Sequence, residues 1–266
     1  MGIVAVPTKI SGSRPEGTQT EQDASTRVRQ MFSDIAPRYD LLNRVLSLSI
    51  DRYWRRRTAL ALDHILRLPH ARVLDLCCGT GDLTLALKRR ATHSCSLGAA
   101  IFGSDFAHPM LVRAIEKSNA PGTAQKSRAS EIGYSEADAL ALPFADASFD
   151  LITAAFGFRN LANYDAGLRE IFRVLRAGGE MAILEFSEPT APVIAPLYRF
   201  YFTRILPRIG AAVSGGGFAY SYLPASVAKF PAPDDLAAMM TGAGFSRVGY
   251  KRWTCGVVTL HRGTKM

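Results

Sequence analysis

Apolar residues recur along this chain with two different spacings. Between residues 28 and 68 the spacing is helical, interrupted at Pro37, and it predicts a group of helices ahead of the first strand. After residue 71, short apolar runs alternate with helical segments, and we interpret residues 72–76, 99–105, 137–144, 149–156 and 180–186 as strands or strand ends. Such alternation predicts a parallel sheet covered by helices on both faces, with ligands at the carboxyl ends of the strands.

The C-terminal part has a different pattern. Residues 234–243 are expected to form a last helix stopped by Gly244, and residues 247–254 and 257–262 two strands joined by a tight turn at Gly256. The sequence therefore predicts an α/β fold with a mostly parallel seven-stranded sheet and an antiparallel C-terminal strand. We divide the chain into a disordered tail over residues 1–26, a helical lid over residues 27–70 and a sheet domain over residues 71–266, with a helical segment near residues 191–230.

The first strand breaks into glycines where a helix begins, in the run Asp75-Leu-Cys-Cys-Gly-Thr-Gly-Asp82. Gly79 and Gly81 let a ligand approach the backbone, and the first N–H groups of the next helix are free to bind it. Thr84 stands where a dinucleotide fingerprint has its third glycine, and Asp105 ends the next strand where an acid binds ribose hydroxyls. The pattern predicts a nucleoside site without choosing between NAD and S-adenosylmethionine.

Composition limits the class of partner and the cellular location. The net charge of +9 favours an anionic partner, whether nucleic acid, acidic lipid or an acidic substrate. The four cysteines lack paired metal-ligand spacing, so we expect no metal site and interpret them as thiols in a reducing cytoplasm. No apolar run is long enough to span a bilayer, and the first residues lack the order of a secretory signal. We expect a cytoplasmic protein, at most peripheral on the inner face of the membrane.

Several motifs occur in a fixed order. The first is Tyr39-Asp-Leu-Leu-Asn43 with its continuation to Trp54, and the last combines Arg173-Val-Leu-Arg-Ala-Gly-Gly179 with Leu184-Glu-Phe-Ser187. Between them lie the glycine run and Phe156-Gly-Phe-Arg-Asn160. With these motifs the chain resembles the ubiquinone/menaquinone biosynthesis C-methyltransferases, which use S-adenosylmethionine on polyprenylated quinol precursors. The Cys-Cys-Gly-Thr form and the helix from Asp235 are more similar to the demethylmenaquinone branch than to the benzoquinol branch.

The resemblance implies a class I S-adenosylmethionine-dependent methyltransferase, with a Rossmann-like fold, that methylates demethylmenaquinol. The alternative substrate is 2-methoxy-6-polyprenyl-benzoquinol. Asp51 departs from the family pattern, which usually has His there, and Leu42 stands in place of Met. Ala155 occupies a position where related chains can have Ser.

The resemblance also implies roles for individual residues. Asp75 would anchor the methionine ammonium, and Asp105 would accept from both ribose hydroxyls. Arg159 would stabilise the oxyanion of the quinol, and Asn160 would orient its hydroxyl or a water. The other implied cofactor contacts are Gly79, Thr80 and Gly81 at the methionine part, Asp138 and Ala139 at adenine, and Ala155.

Each role has a structural alternative. Asp75 could cap a turn, Asp138 could cap a helix, and Arg159 could pair with a helix acid. Residues 192–208 combine aromatic, aliphatic and arginine side chains, which suits either a core helix or a helix resting on an anionic membrane.

Rival functions are less favoured by the motifs. A nucleic-acid methyltransferase commonly has a proline-rich aromatic turn after the fourth strand, where this chain has Phe156-Gly-Phe-Arg-Asn160, so we expect no nucleic-acid partner. A non-catalytic nucleoside or isoprenoid carrier would be favoured by loss of Asp105 or of the glycines, and both are intact. The sequence leaves the oligomeric state open, a homodimer being one arrangement compatible with it.

Overall fold

The computed structural model describes residues 12–94, 99–120, 131–205, 208 and 219–266. Within these ranges helices precede and cover a single sheet. The strands are β1 Arg72–Leu76, β2 Ala100–Asp105, β3 Gly133–Glu136, β4 Phe149–Ala155, β5 Leu175–Phe186, β6 Ser246–Trp253 and β7 Val258–Thr264. The helices are α1 Glu21–Ile35, α2 Tyr39–Ser47, α3 Ile50–Ala61, α4 Asp63–Leu66, α5 Asp82–Ser94, α6 His108–Asn119, α7 Tyr164–Val174, α8 Ile194–Phe200, α9 Ala219–Lys229 and α10 Pro233–Gly242. Short 3-10 turns lie at Ala36–Arg38, Phe158–Asn160 and Thr254–Gly256, and a π-helical turn at Tyr201–Ile205 follows α8.

The sheet has the strand order β3-β2-β1-β4-β5-β7-β6. Its first five strands are parallel, and β7 runs antiparallel to both β5 and β6. The predicted mostly parallel seven-stranded sheet with an antiparallel C-terminal strand is thus confirmed. The strand order reverses between β1 and β4, and ligands of such sheets bind at the carboxyl ends of the strands beside this point.

The two faces of the sheet carry separate apolar layers. One contains Leu62 and Leu66 of the N-terminal helices, packed with Leu87 of α5. The other contains Leu168 and Ile171 of α7. The central strands are therefore buried on both sides, which explains their nearly continuous apolar sequences. Within the described part of the chain, no helix is both long and apolar enough to cross a membrane.

Three predicted boundaries differ from the structure. The third strand is at Gly133–Glu136 and not at residues 137–144, where Asp138 forms only an isolated bridge with Ala141. β5 already begins at Leu175, ahead of the strand predicted over residues 180–186.

The third difference concerns the tail predicted over residues 1–26. α1 begins at Glu21, inside this range, because Thr20 and Asp23 form a capping box in which each side chain binds the backbone N–H of the other residue. Residues 12–20 precede the helix and are described, and residues 1–11 lie outside the described part of the chain.

Candidate active site

A cavity at the carboxyl ends of β1, β2 and β4 contains most of the predicted cofactor residues. We call it the strand-end cavity. The N-terminal helices close one side of it through Phe32, Tyr39 and Arg55. Gly81 and Arg159 are the two predicted site residues that do not line it. The predicted residues in its wall are Asp75, Gly79, Thr80, Asp105, Asp138, Ala139, Ala155 and Asn160.

Gly81 is required by packing. Its φ of +80° is in the left-handed region, and a Cβ built on it would lie 3.0 Å from Tyr134 Oη and 3.1 Å from the Cβ of Ala114. The missing side chain lets the start of α5 approach α6 closely. Gly79, with a φ of +55°, is the glycine that faces the cavity, and a Cβ there would lie 3.7 Å from the Tyr39 ring.

Asp105 ends β2 with its carboxylate held by the backbone. Its Oδ2 accepts from the N–H of Gly79 at 2.8 Å, and its Oδ1 accepts from that of Ala107 at 2.9 Å. Burial raises the pKa of this carboxyl, while these backbone hydrogen bonds act in the opposite direction. Each oxygen keeps a further lone pair, so the carboxylate can accept two neighbouring hydroxyl groups without losing its backbone support.

Asp75 ends β1 deeper in the same wall. Thr84 Oγ1 donates to it at 2.6 Å and Thr153 Oγ1 at 2.8 Å. Burial raises its pKa to about 6, although both hydrogen bonds and the charge of Arg55 favour the ionised form. Hydroxyl donors from a helix and a neighbouring strand therefore fix a carboxylate in a place where a cationic ligand would stabilise its charge.

Asp138 follows β3 and lies in a turn. Its Oδ1 accepts from the Leu140 N–H at 2.9 Å, so it supports a turn, whereas the structural alternative was a helix cap. It also lines the cavity with Ala139, which is 7% exposed. The turn bond and a ligand contact are compatible because a carboxylate has more acceptor positions than this bond uses.

A charged cluster joins α2 to the glycine run. Thr80 Oγ1 donates to Asp40 Oδ1 at 2.5 Å. Lys117 Nζ lies 3.0 Å from Asp40 Oδ2 and 3.0 Å from Thr80 Oγ1, and it also pairs with Asp82. Residues from α2, α5 and α6 therefore meet at the end of the strand-end cavity where Thr80 and Asp82 lie.

A second, more apolar cavity adjoins the first between the N-terminal helices and α8 and α9. We call it the helical cavity. Its wall contains Leu42, Leu46, Trp54, Phe186 and Tyr198 among others. Four residues line both cavities, which shows that the two spaces are separated by single side chains. The shared residues are Phe32, Tyr39, Arg55 and Phe156.

Arg159 faces the helical cavity and not the strand-end cavity. It is 6% exposed and pairs with Glu185 of β5 at 3.1 Å, and its Nη1 also donates to the Phe156 carbonyl. Burial disfavours the charged guanidinium, but Glu185, Tyr39 and Tyr222 together outweigh this effect, and the pKa of Arg159 is raised. Its Nε has no hydrogen-bond partner among the described residues, so one buried donor remains for a ligand.

Asn160 lies next to Arg159 in the chain but faces the strand-end cavity. Its Oδ1 accepts from the hydroxyl of Tyr222 at 3.1 Å, and this hydroxyl lies 2.7 Å from Ser13 Oγ. The backbone N–H of Ser13 also donates to the Leu161 carbonyl at 2.7 Å. The segment ahead of α1 is thus attached to the turn that carries both predicted catalytic residues.

The sequence interpretation missed Glu185, Tyr222 and Arg55. Glu185 is the single acid in the apolar run of residues 181–186, and this signal could have suggested a buried partner. Tyr222 lies in the helical segment near residues 191–230, which was predicted as a substrate or membrane segment without an individual site residue. Arg55 lies in the basic run of residues 51–57 and was given no role, yet it is 8% exposed.

Comparison with solved structures identifies the class of fold. The chain superposes on a SAM-dependent methyltransferase from Aquifex aeolicus with a TM-score of 0.54 at 16% identity, over 77% of this chain and 88% of the other. The fold is that of the class I S-adenosylmethionine-dependent methyltransferases.

The sequence comparisons define the family. The model of the ubiE/COQ5 methyltransferase family matches residues 20–265, and the chain belongs to this family. A demethylmenaquinone methyltransferase of Thermus thermophilus is 51% identical over 88% of this chain and 100% of the relative. A ubiquinone/menaquinone biosynthesis C-methyltransferase UbiE of Geotalea daltonii is 43% identical over 90% of this chain and 96% of the relative. The predicted enzyme class and the predicted cofactor, S-adenosylmethionine, are confirmed.

Proposed function

We propose that the chain transfers a methyl group from S-adenosylmethionine to a ring carbon of a polyprenylated demethylmenaquinol. The observation that carries this proposal is the shared wall between the strand-end cavity and the apolar helical cavity. A cofactor in the strand-end cavity and an apolar quinol ring in the helical cavity would lie next to each other, with Phe156 and Tyr39 in the wall between them. The 51% identity to a relative named demethylmenaquinone methyltransferase supports this substrate over the benzoquinol, which remains the second candidate.

The strand-end cavity fits the cofactor by its chemistry. Asp105 would accept from the two ribose hydroxyls, while Asp138 and the Ala139 N–H would bind the adenine edge. Asp75 would bind the α-ammonium group, and Gly79 and Thr80 would lie beside the methionine part. When bound, the cofactor supplies an electrophilic sulfonium methyl group.

The helical cavity would hold the quinol ring and activate it. A ring carbon becomes nucleophilic when charge builds up on a quinol oxygen, and Arg159 would stabilise that charge through its free Nε donor. Glu185 keeps the guanidinium charged and fixed. Tyr222 binds Oδ1 of Asn160, which leaves the amide N–H groups of Asn160 to orient a hydroxyl or a water.

A methyl-transfer assay tests the reaction. Purified protein with labelled S-adenosylmethionine is given reduced demethylmenaquinol in one sample and the methoxy-polyprenyl-benzoquinol in another. We expect label in the demethylmenaquinol. Label in the benzoquinol alone would select the second candidate, and no label in either quinol from protein that binds the cofactor would reject the proposed function.

We also propose that the mouth of the helical cavity rests on an anionic membrane. Leu48 lines this cavity and is 76% exposed, and Leu197 on α8 is 64% exposed. The Tyr201 hydroxyl donates to the Leu46 carbonyl at 2.7 Å, which brings α8 and α2 together at this mouth. The net charge of +9 would attract the protein to acidic headgroups.

Vesicle sedimentation tests this contact. The wild type should bind vesicles that contain acidic phospholipid, and binding should weaken with salt. The L48D/L197D double variant should lose this binding, whereas Leu68→Asp, at an exposed leucine before β1, should keep it. The proposal would be contradicted if acidic vesicles left the sedimentation of all three proteins unchanged. Sedimentation velocity of the same proteins without lipid measures their mass in solution and so tests whether the chain forms a homodimer.

A further inference from the structure

The charged side chains around the strand-end cavity are unequally divided between acids and bases. Asp75, Asp82, Asp105 and Asp138 all line it. Among the described residues in this wall, Arg55 is the single cation. The methionine part of S-adenosylmethionine carries an α-ammonium, a sulfonium and an α-carboxylate. The acids can balance the two cationic groups, but the ligand's carboxylate has just one cationic side chain available in this wall.

Arg55 is held in place by its own helix. Its Nη1 pairs with Asp51 one turn earlier on α3, and Asp51 Oδ1 accepts from Ser47 Oγ at 2.7 Å. Asp51 and Arg55 are 5% and 8% exposed. The guanidinium also lies over the ring of Phe156, 5.5 Å from its centroid. A fixed guanidinium binds a ligand with little further loss of side-chain entropy.

The contacts of Arg55 leave donors for a ligand. Nη1 forms the pair with Asp51 and lies 3.8 Å from Asp82 Oδ2. Nε and Nη2 take no part in either contact. These two groups form the fork that matches the two oxygens of a carboxylate.

The position of Arg55 suits the amino-acid end of the cofactor. Arg55, Asp75 and Asp82 all line the strand-end cavity, and Nη1 of Arg55 lies 3.8 Å from Asp82 Oδ2. Against the effect of burial, the charge of Arg55 also acts to lower the pKa of both carboxyl groups. Asp75 is the residue assigned above to the α-ammonium. In the ligand, the α-ammonium and the α-carboxylate are bonded to the same carbon. The group that binds the carboxylate must therefore lie near Asp75.

We propose that Arg55 binds the α-carboxylate of S-adenosylmethionine, with Asp51 and Ser47 as positioning residues. The proposal rests on the cofactor and not on the identity of the quinol. It gives Asp51, which departs from the family pattern, a function in orienting the guanidinium. Arg55 and Asp75 together then recognise the zwitterion of the ligand.

Calorimetric binding of two ligands tests this role without turnover. S-adenosylhomocysteine carries the amino-acid part, and 5′-methylthioadenosine lacks it. Arg55→Met should weaken binding of S-adenosylhomocysteine roughly 10- to 100-fold, because a charge-assisted hydrogen bond is lost. It should leave the affinity for 5′-methylthioadenosine unchanged. Arg56→Met, at the exposed neighbouring residue, is the matched control and should change neither affinity.

Two further variants separate binding from folding. Arg55→Lys should recover part of the lost affinity, since it restores the charge without the planar fork. Asp51→Asn should weaken S-adenosylhomocysteine binding less than Arg55→Met does. Equal weakening of both ligands by Arg55→Met would overturn the proposal, as would unchanged binding of S-adenosylhomocysteine with a raised KM for the quinol. Failure of the methyl-transfer assay alone would reject the proposed substrate and leave this inference standing.

Discussion

The hydroxyl of Thr80 donates to Asp40 Oδ1 at 2.5 Å. This bond connects α2, which belongs to the N-terminal helices, with the glycine run that follows β1. Lys117 binds both residues from α6. Three separate elements are therefore connected at the edge of the strand-end cavity, and Lys117 contributes its charge to the attachment of α2.

Asp40→Asn should weaken cofactor binding roughly tenfold, because it removes a charge-assisted contact with Lys117 that holds α2 beside the cavity. Calorimetry with S-adenosylhomocysteine measures the effect. Asp34→Asn, which changes an exposed α1 acid that accepts a hydrogen bond from Gln30, serves as the control. Equal affinities for wild type and Asp40→Asn would show that this contact does not contribute to binding.

Tyr222→Phe should lower kcat roughly tenfold and leave the affinity for S-adenosylhomocysteine unchanged. The variant removes the hydroxyl that binds the Asn160 amide, so the amide loses its fixed orientation. Tyr250→Phe is a matched control, since the Tyr250 hydroxyl binds Asp234 at 2.6 Å. A lower cofactor affinity with unaltered kcat would contradict the role given to Asn160.

The main effect of Asp105→Ala should be a loss of affinity for the cofactor. The Asp105 carboxylate binds the N–H groups of Gly79 and Ala107, so the variant also removes support from the glycine run. We expect a loss of at least tenfold in S-adenosylhomocysteine binding by calorimetry. Retained affinity with lost turnover would place Asp105 in the chemical step instead.

Arg159→Ala should show the opposite pattern, with retained cofactor affinity and lost turnover. The substitution leaves Glu185 buried without its partner, and breaking such a pair costs about 3–5 kcal/mol. Arg159→Lys is therefore tested beside it, because it keeps a cation near Glu185. A variant that is folded, binds the cofactor and turns over at the wild-type rate would exclude Arg159 from catalysis.

The pKa of Asp75 predicts how stability depends on pH. Its value of about 6 in the fold exceeds the 3.8 of an unperturbed aspartate, so the folded chain holds this proton more tightly. The resulting stabilisation is complete below 3.8 and is lost as the pH rises through about 6. In Asp75→Asn this loss is absent. Between pH 5 and 7.5, urea unfolding should show the wild type losing roughly 1 kcal/mol more than the variant, and parallel pH profiles would contradict the raised pKa.

The sequence predicts those features that depend on neighbouring residues in the chain. Asp75 and Asp105 are found at strand ends because an apolar run followed by an acid marks the end of a buried strand, and parallel strands bring their carboxyl ends to one edge. The predicted position of β3 was wrong because this strand lacks such an apolar run. Its residues 133–136 are half-buried or exposed at the edge of the sheet, so they lack the apolar signal on which the prediction relied.

The pattern of apolar and polar residues could not predict contacts between residues that are distant in the sequence. Arg159 pairs with Glu185, 26 residues away, and Tyr222 meets Ser13 from the other end of the chain. Arg55 looked like one of several surface cations because burial of a charge depends on what packs around it. Residue type and order identified the family, whereas the partners of each buried charge required the packed structure.

The presence of Phe32 in the walls of both cavities bears on how the two sites are related. This α1 side chain is one of the four that line both spaces. A change in its position would therefore alter the walls of both cavities at once, so the two sites are not independent of each other.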